Sequence, residues 1–222
     1  MILENNKIYN IDCLEGFKKL KNKSIDHVFT SPPYNRKRND KYQHYNDQVE
    51  DYYSWLCNVI DESLRVSKGF VFFNIMKNYY NKQDVFKIIG NYADEIVDII
   101  IWEKTNPLPA NGKNITNAYE FFIIFGDKQL KSNKTYTKNI ISTSVCGDMT
   151  SEHKAIMKQD VAEWFIINFT NENDTILDCF MGSGTTAVVC KFNNRNYIGF
   201  ELIADYVKLS EIKIISKLGL FI

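Results

Sequence analysis

Short apolar runs alternate along this chain with longer stretches in which apolar residues return every three or four positions. The short runs predict strands at Lys7 to Ile11, His27 to Thr30, Gly69 to Asn74, Glu95 to Glu103, Glu120 to Phe125, Thr175 to Asp178 and Asn196 to Phe200. The helical spacing predicts helices at Cys13 to Leu20, Asp51 to Val66, Lys82 to Gly90, Lys158 to Phe169, Thr185 to Phe192 and Ala204 to Lys217. Strands alternating with helices imply an α/β fold built on a doubly wound, mostly parallel sheet. Residues 105–151 break the rhythm with Pro107, Pro109, Asn111-Gly112 and a polar run rich in Ser, Thr and Asn, and they read as loops. A chain of 222 residues without an internal repeat is expected to form one domain over 1–222.

Two of the predicted strand ends carry the informative chemistry. Thr30-Ser31-Pro32-Pro33-Tyr34-Asn35 continues a strand directly into a turn. Consecutive prolines fix two φ angles and remove two backbone donors, so this loop is expected to be rigid, with unpaired carbonyl oxygens and a protruding tyrosine. That is a socket for an amine. The exocyclic amine of cytosine or adenine is a weak nucleophile because its lone pair is delocalised. Acceptors that hold both amine hydrogens, here Ser31 Oγ and the Pro32 carbonyl, would aim the lone pair at an electrophile. Tyr34 would offer a flat face to a base drawn out of the duplex. The plainer alternative is that Pro32-Pro33 ends a strand and Tyr34 fills the core.

The second segment is Asp178-Cys179-Phe180-Met181-Gly182-Ser183-Gly184-Thr185-Thr186, in which a buried strand runs through a glycine turn into a helix. Such a junction lets backbone approach a nucleotide closely. The next strand delivers Glu201, about twenty residues beyond the glycines, where an acid holds ribose hydroxyls. The third glycine of a dinucleotide fingerprint is missing, which favours a nucleoside without a pyrophosphate, such as S-adenosylmethionine, over NAD.

In this order the motifs resemble the beta group of DNA amino-methyltransferases, which act on N4 of cytosine or N6 of adenine. Asn10 to Glu15, Ser31-Pro32-Pro33-Tyr34, Leu64-Arg65-Val66 with Gly69 to Asn74, Asn117 to Phe121, His153 to Trp164, Asp178 to Thr186 and Arg195 to Leu202 all match, so the resemblance spans nearly the whole chain. It implies a Rossmann-like methyltransferase fold, circularly permuted so that the catalytic segment precedes the cofactor segment. It implies Ser31, Pro32, Pro33 and Tyr34 as the catalytic residues. It assigns S-adenosylmethionine to Asp12, Cys13, Thr30, His153, Asp178, Phe180, Gly182, Ser183, Gly184, Thr185, Thr186 and Glu201. Two positions depart from the family pattern, Cys179 where proline is usual and Lys154 after His153. Serine at the head of the tetrapeptide points to N4 of cytosine, with adenine as the alternative; a non-catalytic DNA-binding partner subunit is a third reading. The resemblance also allows a homodimer or a partner subunit, and a place in a restriction-modification system.

Charge complicates the DNA reading. With 27 basic and 27 acidic residues the chain has no global attraction to a polyanion, so affinity for double-stranded DNA must come from local clusters. Arg36, Lys37, Arg38 and Lys41 follow the socket and are expected on phosphates, while residues 105–151 are expected to read bases. Lys128, Lys131, Lys134 and Lys138 form a second candidate cluster or a solvated face. The five cysteines include no Cys-x-x-Cys pair, which argues against a metal site or disulfide framework, and no cysteine follows a proline as carbon-5 cytosine chemistry requires. Histidines 27, 44 and 153 are not needed as a base. No run suggests a membrane span or signal peptide, so a cytoplasmic, nucleoid-associated protein is expected.

Overall fold

The computed structural model describes residues 3–35, 49–107, 109, 115–144 and 157–217. In chain order the elements are β1 (Lys7–Asn10), α1 (Cys13–Phe17), β2 (His27–Thr30), α2 (Tyr52–Val66), β3 (Val71–Ile75), α3 (Lys82–Asn91), β4 (Ile96–Lys104), β5 (Tyr119–Phe125), β6 (Ile140–Thr143), α4 (Gln159–Phe169), β7 (Thr175–Asp178), α5 (Thr185–Phe192), β8 (Asn196–Glu201) and α6 (Ala204–Lys217). All eight strands form one sheet in the order β1-β8-β7-β2-β3-β5-β4-β6. Pairing is parallel except where β5 lies antiparallel to both β3 and β4.

The sheet is buried on both faces, as its nearly unbroken apolar strands require. Side chains alternate between two layers: Val28, Phe73, Ile123 and Phe125 pack with α1, α2 and α3, whereas Phe29, Phe72, Phe122 and Ile124 pack with α4 and α5. Aromatic rings fill the second layer, with Phe122 and Phe165 centroids 4.1 Å apart.

The chain reverses its winding at the centre. From β7 it proceeds through α5 to β8 on one side, and from β2 through α2 to β3 on the other. Between β7 and β2 there is therefore a crevice at the C-terminal strand ends, the place where open α/β sheets bind ligands.

Three expectations differ from what is observed. Helix α1 stops at Phe17 because the next turn tightens, with Lys19 N donating to Gly16 O and Leu20 N to Phe17 O. Strand β3 starts at Val71 because the Phe70 N–H is diverted to His27 Nδ1, although the Phe70 carbonyl still accepts from Val28 N of β2. Strand β6 lies inside the segment read as loop; it adds an edge strand on β4.

Candidate active site

Asp178 ends β7 and Thr30 ends β2, so the two flank the central crevice. Thr30 Oγ1 donates to Asp178 Oδ1 at 2.9 Å, Thr186 Oγ1 donates to Oδ2 at 2.6 Å, and the Phe180 N–H donates to Oδ1 at 3.0 Å. One enclosed carboxylate thus ties strand β2, the turn after β7 and the first turn of α5 together. Burial lifts its carboxyl to about 6, against the opposing pull of those three donors. Asp178 acts as a strut between two loops.

Glu201 ends β8 beside the same turn. Its Oε2 accepts from Gly182 N and its Oε1 from Ile203 N, both at 2.8 Å. Burial raises its carboxyl above the ordinary range. Each carboxylate oxygen accepts more than one hydrogen bond, so this acid retains capacity for hydroxyl donors. Gly182 and Gly184 both have positive φ, at 53° and 86°. Their reasons differ. A Cβ at Gly182 would meet nothing closer than the Phe180 carbonyl at 3.9 Å, whereas one at Gly184 would lie 2.4 Å from Ser210 Cβ on α6. Open space at Gly182 beside a buried acid fits the sugar of a nucleoside; Gly184 instead lets α6 approach. Asp12 caps α1 by accepting from Leu14 N and Glu15 N, and Cys13 packs into the core with its thiol pushed up to about 12 by burial.

The Ser31–Tyr34 loop is held from two sides. Tyr52 donates its hydroxyl to the Pro33 carbonyl at 2.5 Å, and the Asn78 and Asn81 amides donate to the Tyr34 carbonyl at 2.8 and 3.0 Å. The expectation that these carbonyls lack partners is therefore corrected for Pro33 and Tyr34, since side chains replace the donors that proline lacks. No described residue donates to the Pro32 carbonyl. Trp55, one turn along α2 from Tyr52, packs on Phe180 with centroids 5.5 Å apart. One helical turn thus braces both candidate loops.

Tyr34 does not protrude. Its ring is half-buried against the core, and its hydroxyl lies 2.7 Å from Asn74 Oδ1, 2.9 Å from Glu120 Oε2 and 3.0 Å from Ser31 Oγ. Ser31 Oγ is also 3.0 Å from Asn74 Oδ1, and Asn74 Nδ2 donates to the Phe121 carbonyl, which fixes the amide oxygen toward the hydroxyls. Behind them Lys104 Nζ pairs with Glu120 Oε1, with both side chains largely buried. Asn74, Glu120 and Lys104 were not among the expected site residues. For Asn74 and Glu120 the signal is a polar residue in an aromatic run, Val71-Phe72-Phe73-Asn74 and Tyr119-Glu120-Phe121.

The remaining expected positions divide by place. Ser183, Thr185 and Thr186 lie in the turn and first turn of α5, with Thr185 half-buried. Arg36, Lys37, Arg38, Lys41 and His153 lie outside the described residues. Lys128, Lys131, Lys134 and Lys138 fall between β5 and β6, at the N-terminal ends of the parallel strands and on the sheet edge opposite Ser31. His27 sits at that far edge too, with Phe70 N donating to Nδ1. Among the described residues there is no group of three metal-ligating side chains and no helix long and apolar enough to cross a membrane.

The sequence profile of the DNA methylases that modify N6 or N4 amines matches residues 25–212. This chain belongs to that DNA methylase family. It is 27% identical to the type II methyltransferase M.HinfI of Haemophilus influenzae, over 93% of the chain and 67% of the relative. It superposes on PvuII DNA methyltransferase, a cytosine-N4-specific enzyme, with a TM-score of 0.78 at 20% identity, covering 96% of this chain and 87% of that one. The complex of M1.HpyAVI with S-adenosylmethionine matches with a TM-score of 0.69 at 26% identity, covering 94% and 98%. The DNA methylase family is S-adenosylmethionine-dependent.

Proposed function

We propose that this DNA methylase transfers a methyl group from S-adenosylmethionine to the exocyclic N4 amine of cytosine in double-stranded DNA. A single observation carries the reading: Ser31 Oγ, within 3.0 Å of the Asn74 amide oxygen, stands one residue beyond the Thr30–Asp178 strut that joins its strand to the Gly182 turn. The amine-binding group and the cofactor crevice are thereby fixed to one another. The cytosine-N4-specific PvuII enzyme shares the fold, and the tetrapeptide here begins with serine.

Each role follows from position. Glu201 would accept the ribose hydroxyls, the Gly182 turn would lie along the nucleoside, and Phe180 with Trp55 would wall the crevice. The bound cofactor supplies a methyl group already activated by its sulfonium. Ser31 Oγ and the Pro32 carbonyl would each accept one amine hydrogen, localising the nitrogen lone pair, and the nitrogen would release one proton to water once the methyl has left the sulfonium. The exposed part of the Tyr34 ring would support the base once it has left the stack. Arg36, Lys37, Arg38 and Lys41 would hold phosphates, with base reading left to residues 105–151. We assign the chain to one domain and to the modifying half of a type II restriction-modification system in the cytoplasm, as the type II relative suggests.

The test is product identity. Duplex DNA is incubated with the protein and S-adenosylmethionine tritiated on the methyl group, digested to nucleosides and chromatographed beside methylated standards. Label in N4-methylcytosine is the expected result. Label in N6-methyladenine overturns the base assignment, and label in neither overturns the enzyme reading in favour of a DNA-binding subunit.

A further inference from the structure

Between β3 and α3 runs Lys77-Asn78-Tyr79-Tyr80-Asn81-Lys82, a symmetric sequence with basic ends, amides inside them and two tyrosines at the centre. The asparagines build the turn. Asn78 Oδ1 accepts from Tyr80 N at 2.8 Å and Asn81 N at 3.2 Å, while Asn81 Oδ1 accepts from Asn78 N at 2.7 Å. Their amide nitrogens both reach out of the turn to the Tyr34 carbonyl, and Asn81 also donates to Met76 O. Asn117, from the segment before β5, donates to the Lys77 carbonyl. A hydrogen-bonded scaffold anchored by the buried Asn81 therefore positions this turn against the very residue proposed to support the flipped base.

What the scaffold displays is exposed. Tyr79 has 79% and Tyr80 53% of its surface open to solvent, with the rings edge-on at 5.4 Å, and Lys82 Nζ sits 5.1 Å from the Tyr79 ring centre. Neither ring is part of either core layer. A neutral chain must gather its positive charge locally to hold DNA, and aromatic rings interleaved with lysines provide both base stacking and phosphate contact. The turn follows the C-terminal end of β3, so it lies on the same edge of the sheet as Ser31.

The geometry points to this turn as a DNA-contacting rim: Tyr79 and Tyr80 take the bases next to the target nucleotide, and Lys77 and Lys82 take the flanking phosphates. This rests on the DNA reading above and adds the surface that holds the strand from which the target base is drawn. Stacking accounts for the rings standing in solvent. The two asparagine bonds to Tyr34 keep the rim and the socket in fixed relation.

The test uses the full chain with a duplex substrate of the modified sequence. Duplex affinity is read by fluorescence anisotropy for the parent, for Tyr79→Ala/Tyr80→Ala, for Tyr79→Phe/Tyr80→Phe and for Lys77→Ala/Lys82→Ala, with S-adenosylmethionine affinity measured on each by calorimetry. The alanine pair is expected to weaken duplex binding about tenfold or more with cofactor affinity unchanged, and the phenylalanine pair to restore it. The lysine pair is expected to flatten the salt dependence by about two units, one per phosphate contact. Parental duplex affinity in the alanine pair, while the parent methylates DNA, overturns the rim alone. A parent that binds S-adenosylmethionine but no duplex overturns the DNA reading, and the rim with it.

Discussion

The hydroxyl of Tyr34 lies 2.9 Å from a carboxylate oxygen of Glu120, whose other oxygen is paired with Lys104. A phenol carries one proton, and a charged acceptor binds it about twice as strongly as a neutral one. Tyr34 therefore donates to Glu120, which leaves the Asn74 amide oxygen to the Ser31 proton. On the role proposed for Ser31, its lone pairs would be the part of that hydroxyl that meets an incoming amine.

Removing the Tyr34 hydroxyl while keeping its ring isolates this effect. Tyr34→Phe gives up one hydrogen bond to a charged group, on the order of 1.5–3 kcal/mol, or about ten- to a hundredfold in rate if it is expressed at the transition state. The expected result is a lower single-turnover rate at saturating DNA with S-adenosylmethionine affinity unchanged. A parental rate would mean that Ser31 is not oriented through this bond.

The Lys104–Glu120 pair separates activity from stability. Both side chains are largely buried, so losing either partner strands a charge at a cost of about 3–5 kcal/mol, whereas replacing both with apolar residues is far milder. Urea denaturation of Lys104→Met, Glu120→Leu and the double variant should show the double variant more stable than either single one. Its methylation rate should stay low, because Tyr34 has lost its acceptor in every case that lacks Glu120. A double variant with full activity would make the pair purely structural.

How far the sequence carries depends on where a residue's surroundings come from. Strands β2 and β7 and helices α5 and α6 are legible to the residue, since local apolar runs, a glycine turn and helical spacing determine them. Strand β6 is not, because Ile140-Ile141-Ser142-Thr143 forms an edge whose only strand partner among the described residues is β4, about forty positions away in sequence. Glu120 is hidden for the same reason. An acid in a strand reads as solvent-facing, and only the register that sets Glu120 opposite Trp102, with Lys104 diagonal to it, reveals a buried pair. Tyr34 read as protruding because a Pro-Pro turn suggests exposure, while the groups that draw its hydroxyl inward come from β3 and β5.

Glu201 supports the cofactor reading in a way that can be measured directly. Glu201→Ala removes the acceptor proposed for the ribose, one bond to Gly182 N of the turn and one to Ile203 N beyond β8, so S-adenosylmethionine affinity should fall by on the order of 1.5–3 kcal/mol. Glu201→Gln keeps shape and one acceptor oxygen and should lose less. Calorimetry that finds parental affinity in Glu201→Ala would place the ribose elsewhere.

Asp178 predicts a pH dependence of stability whose sign is opposite to that of most buried carboxylates with partners. Burial lifts its carboxyl from the ordinary 3.8 to about 6. Below the ordinary value both folded and unfolded chains hold the proton, and no difference arises. Between the two values the folded chain keeps a proton that the unfolded chain has lost, so stability falls as pH rises through this window. Above about 6 the buried charge costs about 3 kcal/mol relative to the acid form. His27 works the other way: burial lowers its imidazole below the ordinary range, so protonation on acidification favours unfolding. The wild-type curve mixes these slopes with that of Glu201, whose carboxyl burial also raises, and Asp178→Asn isolates the part that belongs to Asp178. Asparagine preserves the shape of the strut, and the Thr30 and Thr186 hydroxyls can rotate to meet either of its polar atoms. Denaturation of both proteins from pH 4 to 7.5 should show the variant gaining on the wild type by about 2.4 kcal/mol across the range, with the histidine slope common to both. Parallel curves would mean that Asp178 is ionised throughout, and that its three donors outweigh the burial.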